Sequence, residues 1–150
     1  MSTSSTPRLH IGQLLTQLTR VFQTELFDRL TAAGLEGARA SHTHVTAYIK
    51  AEGSRLTELA AQARMTLPAM SELVDDLQRL GIVERRPDST DARAKLICLT
   101  DAGWEAMHTA REIIAEMEAD YAELIGAERF EAAAQTLDGL LRGLAARQAQ

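Results

Sequence analysis

Apolar residues recur at helical spacing from Leu9 to Leu30, at Ile11, Leu14, Leu15, Leu18, Phe22, Leu26 and Leu30. That period predicts a long first helix, closed at Gly34 with Leu35 supplying the apolar contact past the cap. After the link Gly34 to Gly37, a second helix is expected with Ser41 as N-cap. It runs through Val45, Tyr48 and Ile49 to Gly53. Arg55-Leu56 reads as a strand fragment or link. Thr57 then caps a short helix carrying Leu59, Ala60 and Ala63. A turn at Arg64-Met65 leads to Thr66, an N-cap followed by Pro68, which the first helical turn tolerates. The helix it opens places Met70, Leu73, Val74, Leu77 and Leu80 on one stripe and stops at Gly81. Two short helices joined by a tight turn predict a helix-turn-helix.

The pattern then changes period. Ile82 to Arg86 reads as one strand and Ala94 to Leu99 as another, with a polar loop from Pro87 to Arg93 between them. A hairpin directly after a helix-turn-helix is a wing. Thr100 caps a helix of about 25 residues, a rod near 37 Å long. Gly126 breaks it. A last helix carries Phe130, Ala133, Ala134, Leu137, Leu140, Leu141 and Leu144, a seam of period near 3.5. The expected class is mainly α (α+β), a winged helix-turn-helix with long terminal helices. The whole chain, 1–150, is read as one domain. Residues 55–100 form its winged lobe, and 9–33 and 101–147 form its dimerisation helices. The terminal helices carry more apolar stripe than one small core absorbs, so a homodimer is preferred over packing within one chain.

Composition narrows the class. At 150 residues with 45 % hydrophobic and 25 % charged side chains, the chain has the makeup of a globular domain. No apolar run reaches the length of a bilayer span, and Met1 to Pro7 lacks the apolar core of a signal peptide. The single cysteine, Cys98, excludes an internal disulfide framework, and a reducing cytoplasm is the expected compartment. The net charge of −5 is uneven: residues 1–54 sum to +1, 55–100 to zero and 101–150 to −6. An acidic total argues against indiscriminate polyanion binding. It leaves room for a DNA binder whose basic side chains, nearly all Arg, face one way.

Three segments carry a family resemblance: Arg55-Leu-Thr-Glu-Leu-Ala, Leu73-Val-Asp-Asp-Leu-Gln-Arg-Leu-Gly-Ile-Val-Glu-Arg, and Asp91-Ala-Arg-Ala-Lys-Leu-Ile-Cys-Leu-Thr-Asp-Ala-Gly. In this order they resemble MarR-type winged-helix transcriptional regulators over nearly the whole chain. The resemblance implies a dimer on a pseudo-palindromic DNA operator, acting as a ligand-relieved repressor. It implies that the helix from Thr66 to Leu80 enters the major groove, with Thr66, Leu67, Pro68, Ala69, Ser71 and Glu72 toward DNA. Arg93 at the wing enters the minor groove, oriented by Asp91. Arg86 lies nearer the body of the hairpin. The departure is acidity: Glu72 and Asp76 stand where many relatives carry Arg, and with Asp75 they make the helix acidic. Some of these acids face the neighbouring helix or pair with Arg79. Glu72 suits cytosine N4, and the apolar first turn suits thymine methyls.

Other chemistry is thin. His44, Tyr48, Trp104 and His108 are candidates for a pocket holding a small aromatic or phenolic anion, as the resemblance implies. Core packing is the preferred reading of Trp104, and surface histidines are the plain reading of His44 and His108. His42 and His44 point about 200° apart on a helix, so with His108 they make a poor metal site. Cys98 alternates with Ile97 and Leu99 on a strand and reads as an inert small residue. With no Gly-rich phosphate loop, H-E-x-x-H or serine elbow, neither enzyme nor cofactor is expected. The rival readings are a winged helix that binds protein or works without an effector, and a small helical enzyme.

Overall fold

The computed structural model describes residues 8–149. Helix α1 spans Ile11–Ala32. It ends as the sequence predicts. The N–H groups of Gly34 and Leu35 donate to the carbonyls of Thr31 and Leu30 at 3.0 and 2.9 Å, satisfying the last turn.

The second helix is shorter than expected, and Ser41 is not its cap. A 3-10 turn, Ala40–His42, leads into a four-residue α2, Thr43–Thr46. Arg39 precedes that turn, and the His42 ring takes its backbone N–H at 3.3 Å. The chain then bends through Gly53, at φ +99°, into strand β1, Ser54–Arg55. A Cβ at Gly53 would lie 2.6 Å from the Cys98 sulfur, so sterics and backbone angle both call for glycine there.

Helix α3 covers Leu56–Gln62. Its cap is Arg55 rather than Thr57, which falls inside the first turn. Arg55 is extended, at φ −73° and ψ 148°, and its N–H donates to Glu58 Oε2 at 3.4 Å. The tight turn passes through Arg64 at φ 53°, and the Met65 N–H returns to the Ala60 carbonyl at 2.8 Å. Helix α4, Leu67–Arg79, begins at the predicted cap: Thr66 Oγ1 accepts the Ala69 N–H at 3.3 Å. Strands β2, Val83–Asp88, and β3, Asp91–Leu99, are longer than the sequence suggested. The sheet is antiparallel in the order β1-β3-β2.

Helix α5, Asp101–Ile125, is capped by Thr100, whose Oγ1 accepts the Gly103 N–H at 3.0 Å. The start of α5 lies so close to the preceding chain that a Cβ on Gly103 would sit 2.1 Å from the Ile82 carbonyl oxygen. Helix α6 covers Ala127–Gln148.

The chain divides into two compact units, Met1–Ala110 and Arg111–Gln150. In the first, Val45, Leu59, Met70, Val74, Leu77, Val83, Ile97 and Leu99 form one buried cluster. At roughly 1.5–3 kcal/mol for each fully buried large apolar side chain, this cluster is what fixes α2, α3 and α4 on the sheet. In the second, no residue of α6 is buried. Leu140 and Leu141 stand 51 % and 69 % exposed. On α1, in the first unit, Leu18 and Val21 are exposed to a similar degree.

Candidate nucleic-acid interface

Helix α4 owes its orientation to its apolar stripe. Met70, Val74 and Leu77 are buried, and Leu73 packs against them partly covered. The opposite face is thereby turned outward. It presents Leu67, Pro68, Glu72 and Asp75 to solvent and leaves Ser71 half-buried. Ala69, expected to face outward, is also half-buried. The exposed first turn is apolar and small, a surface that fits base methyls better than it fits phosphates.

The acidity of α4 is largely neutralised within the protein. Asp76 is paired with Arg39 and with Arg79, and His42 Nε2 lies 3.7 Å from the same carboxylate. Asp75 accepts from Arg85 Nη2 at 2.7 Å, while Arg85 Nη1 donates to Gln78 Oε1 at 2.6 Å. Glu72 is left as the exposed carboxylate of this face with no partner among the described residues. His42 is buried, and burial, followed by the charge of Arg39, pushes its pKa below the ordinary 6.5.

The wing departs from the predicted loop. Asp91 and Arg93 lie on β3, and the hairpin turns at Ser89-Thr90. Pairing runs regularly from Val83 with Leu99 to Pro87 with Lys95, then jumps to Asp88 with Asp91. Ala92, Arg93 and Ala94 therefore have no partner on β2. An irregularity of this kind re-aims side chains at a sheet rim. Asp91 Oδ1 accepts the backbone N–H of Arg93 at 3.0 Å, so it orients Arg93 through the main chain rather than through the guanidinium. Arg93 is exposed, and neither its side chain nor that of Lys95 has an ionic partner among the described residues.

The remaining arginines differ. Arg86 is exposed but bound to Glu84, with Nε 2.6 Å from Oε1; this bond raises its pKa. Arg55 sends Nε and Nη2 to Asp88 Oδ2 at 2.9 and 2.6 Å. The other oxygen of Asp88 accepts Thr90 Oγ1 at 2.7 Å and the Thr90 N–H at 2.9 Å. The two Thr90 bonds and then the Arg55 bond lower the Asp88 pKa to about 2. Sequence reading did not find Asp88 or Arg55. Asp88-Ser-Thr is a local turn signature that marks Asp88. No local signal links it to Arg55, 33 residues away.

The four residues proposed for a ligand pocket are all on the surface. His44 and Tyr48 are exposed at α2 and the turn after it. Trp104 and His108 are exposed one turn apart on α5. At 42 % exposure, Trp104 is not the core residue expected. Cys98 is buried, its sulfur 4.0 Å from the Glu52 carbonyl. Among the described residues no three His, Cys, Asp or Glu side chains are grouped to hold a metal ion. Among the same residues no helix is long and apolar enough to cross a membrane.

Comparison with known proteins agrees with this architecture. Residues 41–94 match the profile described as MarR family. An uncharacterised HTH-type transcriptional regulator of Bacillus subtilis, YdcH, is 28 % identical over 142 residues, 93 % of this chain and 90 % of YdcH. A cysteine-to-serine variant of MarR from E. coli superposes with a TM-score of 0.73 at 20 % identity, over 90 % of this chain and 98 % of that one. The transcriptional repressor CouR, solved on a 23-mer DNA duplex, gives 0.69 at 20 % identity, over 88 % and 92 %.

Proposed function

We propose that this chain, a member of the MarR family of winged-helix regulators, is a cytoplasmic repressor that grips double-stranded DNA as a homodimer and lets go when a small ligand binds. Residues 55–100 are the DNA-binding lobe, and 9–33 and 101–147 are the dimerisation segments. Helix α4 enters the major groove with Thr66, Leu67, Pro68, Ser71 and Glu72 toward base edges, and Ala69 completes that turn. The wing, with Asp91 and Arg93, lies along the adjacent minor groove, and Arg86 stays nearer the body. The observation that carries this reading is the distribution of free positive charge. Arg55, Arg79, Arg85 and Arg86 each hold a carboxylate. Arg93 and Lys95, at the wing, hold none among the described residues. Cations with no internal partner meet phosphate without first breaking an ion pair, and a narrow minor groove concentrates negative potential where Arg93 arrives. The pairing of Asp75 and Asp76 removes most of the acidity that favoured a protein-binding winged helix.

Ligand relief follows from linkage. A small aromatic or phenolic anion, held by some of His44, Tyr48, Trp104 and His108, lowers DNA affinity only as far as it prefers a spacing of the two α4 helices other than the 34–36 Å or so between half-sites.

The test is fluorescence anisotropy against specific and scrambled duplexes over a salt series. Arg93→Ala should weaken binding to both and reduce the salt slope by about 2 for the dimer, one phosphate equivalent per half-site. Ser71→Ala or Leu67→Ala should instead change which operators are preferred, by roughly 1–3 kcal/mol per affected base pair. Wild-type affinity and slope in Arg93→Ala on both duplexes would remove the wing from the interface.

A further inference from the structure

The wing has to present Arg93 on a stretch of β3 that β2 does not pair. Such a stretch has no ladder to hold it, and an unheld guanidinium loses freedom when it binds. What stands next to it is a closed polar knot. Asp88, the last residue of β2, is 7 % exposed. Both of its oxygens are used: Oδ1 by the backbone and hydroxyl of Thr90, Oδ2 by two nitrogens of Arg55. Arg55 in turn is fixed at its own backbone, paired through β1 with Leu96 of β3 and serving as the cap of α3. One carboxylate thus ties the hairpin turn to the start of the helix-turn-helix. The register jump that frees Arg93 begins at the same residue, between Pro87 and Asp88.

We propose that Arg55 and Asp88 are positioning residues for DNA binding: their ion pair fastens the wing to the lobe so that Arg93 is held ready for the groove. Neither residue need touch DNA. Asp88 is too buried to do so, and the Arg55 guanidinium is spent on Asp88. The inference rests on the proposed DNA-binding role of the wing. Their action is felt only through Arg93, which distinguishes it from a general contribution to folding. Loss of the tether lets the turn and the unpaired stretch sample other conformations, and only part of that ensemble fits the groove.

The experiment is a double-mutant cycle on the full-length protein: wild type, Asp88→Asn, Arg93→Ala and the double variant. The probe is a duplex of about 30 bp carrying A-tracts one helical turn apart, followed by anisotropy. Arg55→Met is a second route to the same loss, since it leaves the Thr90 bonds of Asp88 in place. Amide hydrogen exchange at Thr90 and Arg93 reads the order of the wing directly, with exchange along α4 as the control for folding. We expect Asp88→Asn and Arg55→Met each to weaken binding about five- to tenfold when Arg93 is present and to change it less than twofold when Arg93 is Ala. Exchange should quicken at Thr90 and Arg93 and stay unchanged along α4. Equal losses in both backgrounds, or unchanged exchange at the wing, overturn the tether while leaving Arg93 as a DNA contact. If Arg93→Ala alone has no effect, the reading of the wing as a DNA contact falls, and the tether falls with it.

Discussion

The winged lobe and the last helix are made from the same kinds of residue and end in opposite states. In the lobe, Leu59, Met70 and Val74 are fully covered by one another, by the sheet and by Val45 of α2. In α6, Leu137, Leu140, Leu141 and Leu144 repeat at helical spacing and remain 43–69 % exposed. The lobe closes because strands and helices approach its stripe from several directions within one short stretch of chain. A straight helix with one stripe finds no such closure by itself. In the proposed homodimer a second copy with the same seam covers it. Apolar periodicity therefore predicts that a face needs covering; it does not say whether the same molecule supplies the cover.

Charged variants on the seam put the largest strain on this contrast. Leu137→Glu with Leu141→Glu disturbs little inside one chain, because both side chains are already exposed. In a dimer it buries four charges. Sedimentation at micromolar concentration should show a folded monomer with operator binding lost. A variant that stays dimeric would mean that α6 is not the interface.

A core truncation probes the other side. Met70→Ala should cost about 2–5 kcal/mol by urea unfolding, as expected for a large side chain removed from a closed core. A loss below about 1 kcal/mol would mean that the lobe is less closed than its burial indicates.

The smallest effect concerns the polar rim of the lobe. Burial and Arg39 lower the His42 pKa, although an Asp76 oxygen lies 3.7 Å from its Nε2. The folded state therefore binds this proton more weakly than the unfolded chain does. The stabilisation is whole above pH 6.5 and declines as the pH falls through the lowered folded value. Melting temperature should drop modestly from pH 7 to pH 5.5, and the drop should shrink in His42→Gln. A flat profile in the wild type would show that Asp76 offsets the burial.

Much of the fold could be read along the chain. The closures at Gly34 and Gly81, the caps at Thr66 and Thr100, the amphipathic α4 and the break at Gly126 were all predictable. Each depends on residues within one or two turns of each other. Where the reading slipped, a contact from elsewhere prevailed. Ser41 falls inside a 3-10 turn that follows Arg39, and His42 holds the cap position of α2 without a side-chain cap bond. Thr57 lost its cap role to Arg55, which β3 holds extended through β1. Trp104 reads as core by composition and stands at the surface. The wing signature Asp91-x-Arg93 was visible, but its form was not: a register jump, two local aspartate turns and a distant arginine set it.

By itself, then, the sequence determined the long helices, the helix-turn-helix and the hairpin after it, the stops at Gly34, Gly81 and Gly126, and which face of α4 is apolar. Those properties follow from backbone sterics, capping and periodicity over a few residues. Only the tertiary structure decided which charges are spent. Of the carboxylate pairings only the local one of Asp76 with Arg79 was legible in a string of letters; Arg85, Arg39 and Arg55 reach Asp75, Asp76 and Asp88 from other elements. Ion pairing depends on distances between groups as much as 33 positions apart, which no local pattern records. From that pairing the positive charge of the wing is left to Arg93 and Lys95, both exposed and without an ionic partner among the described residues.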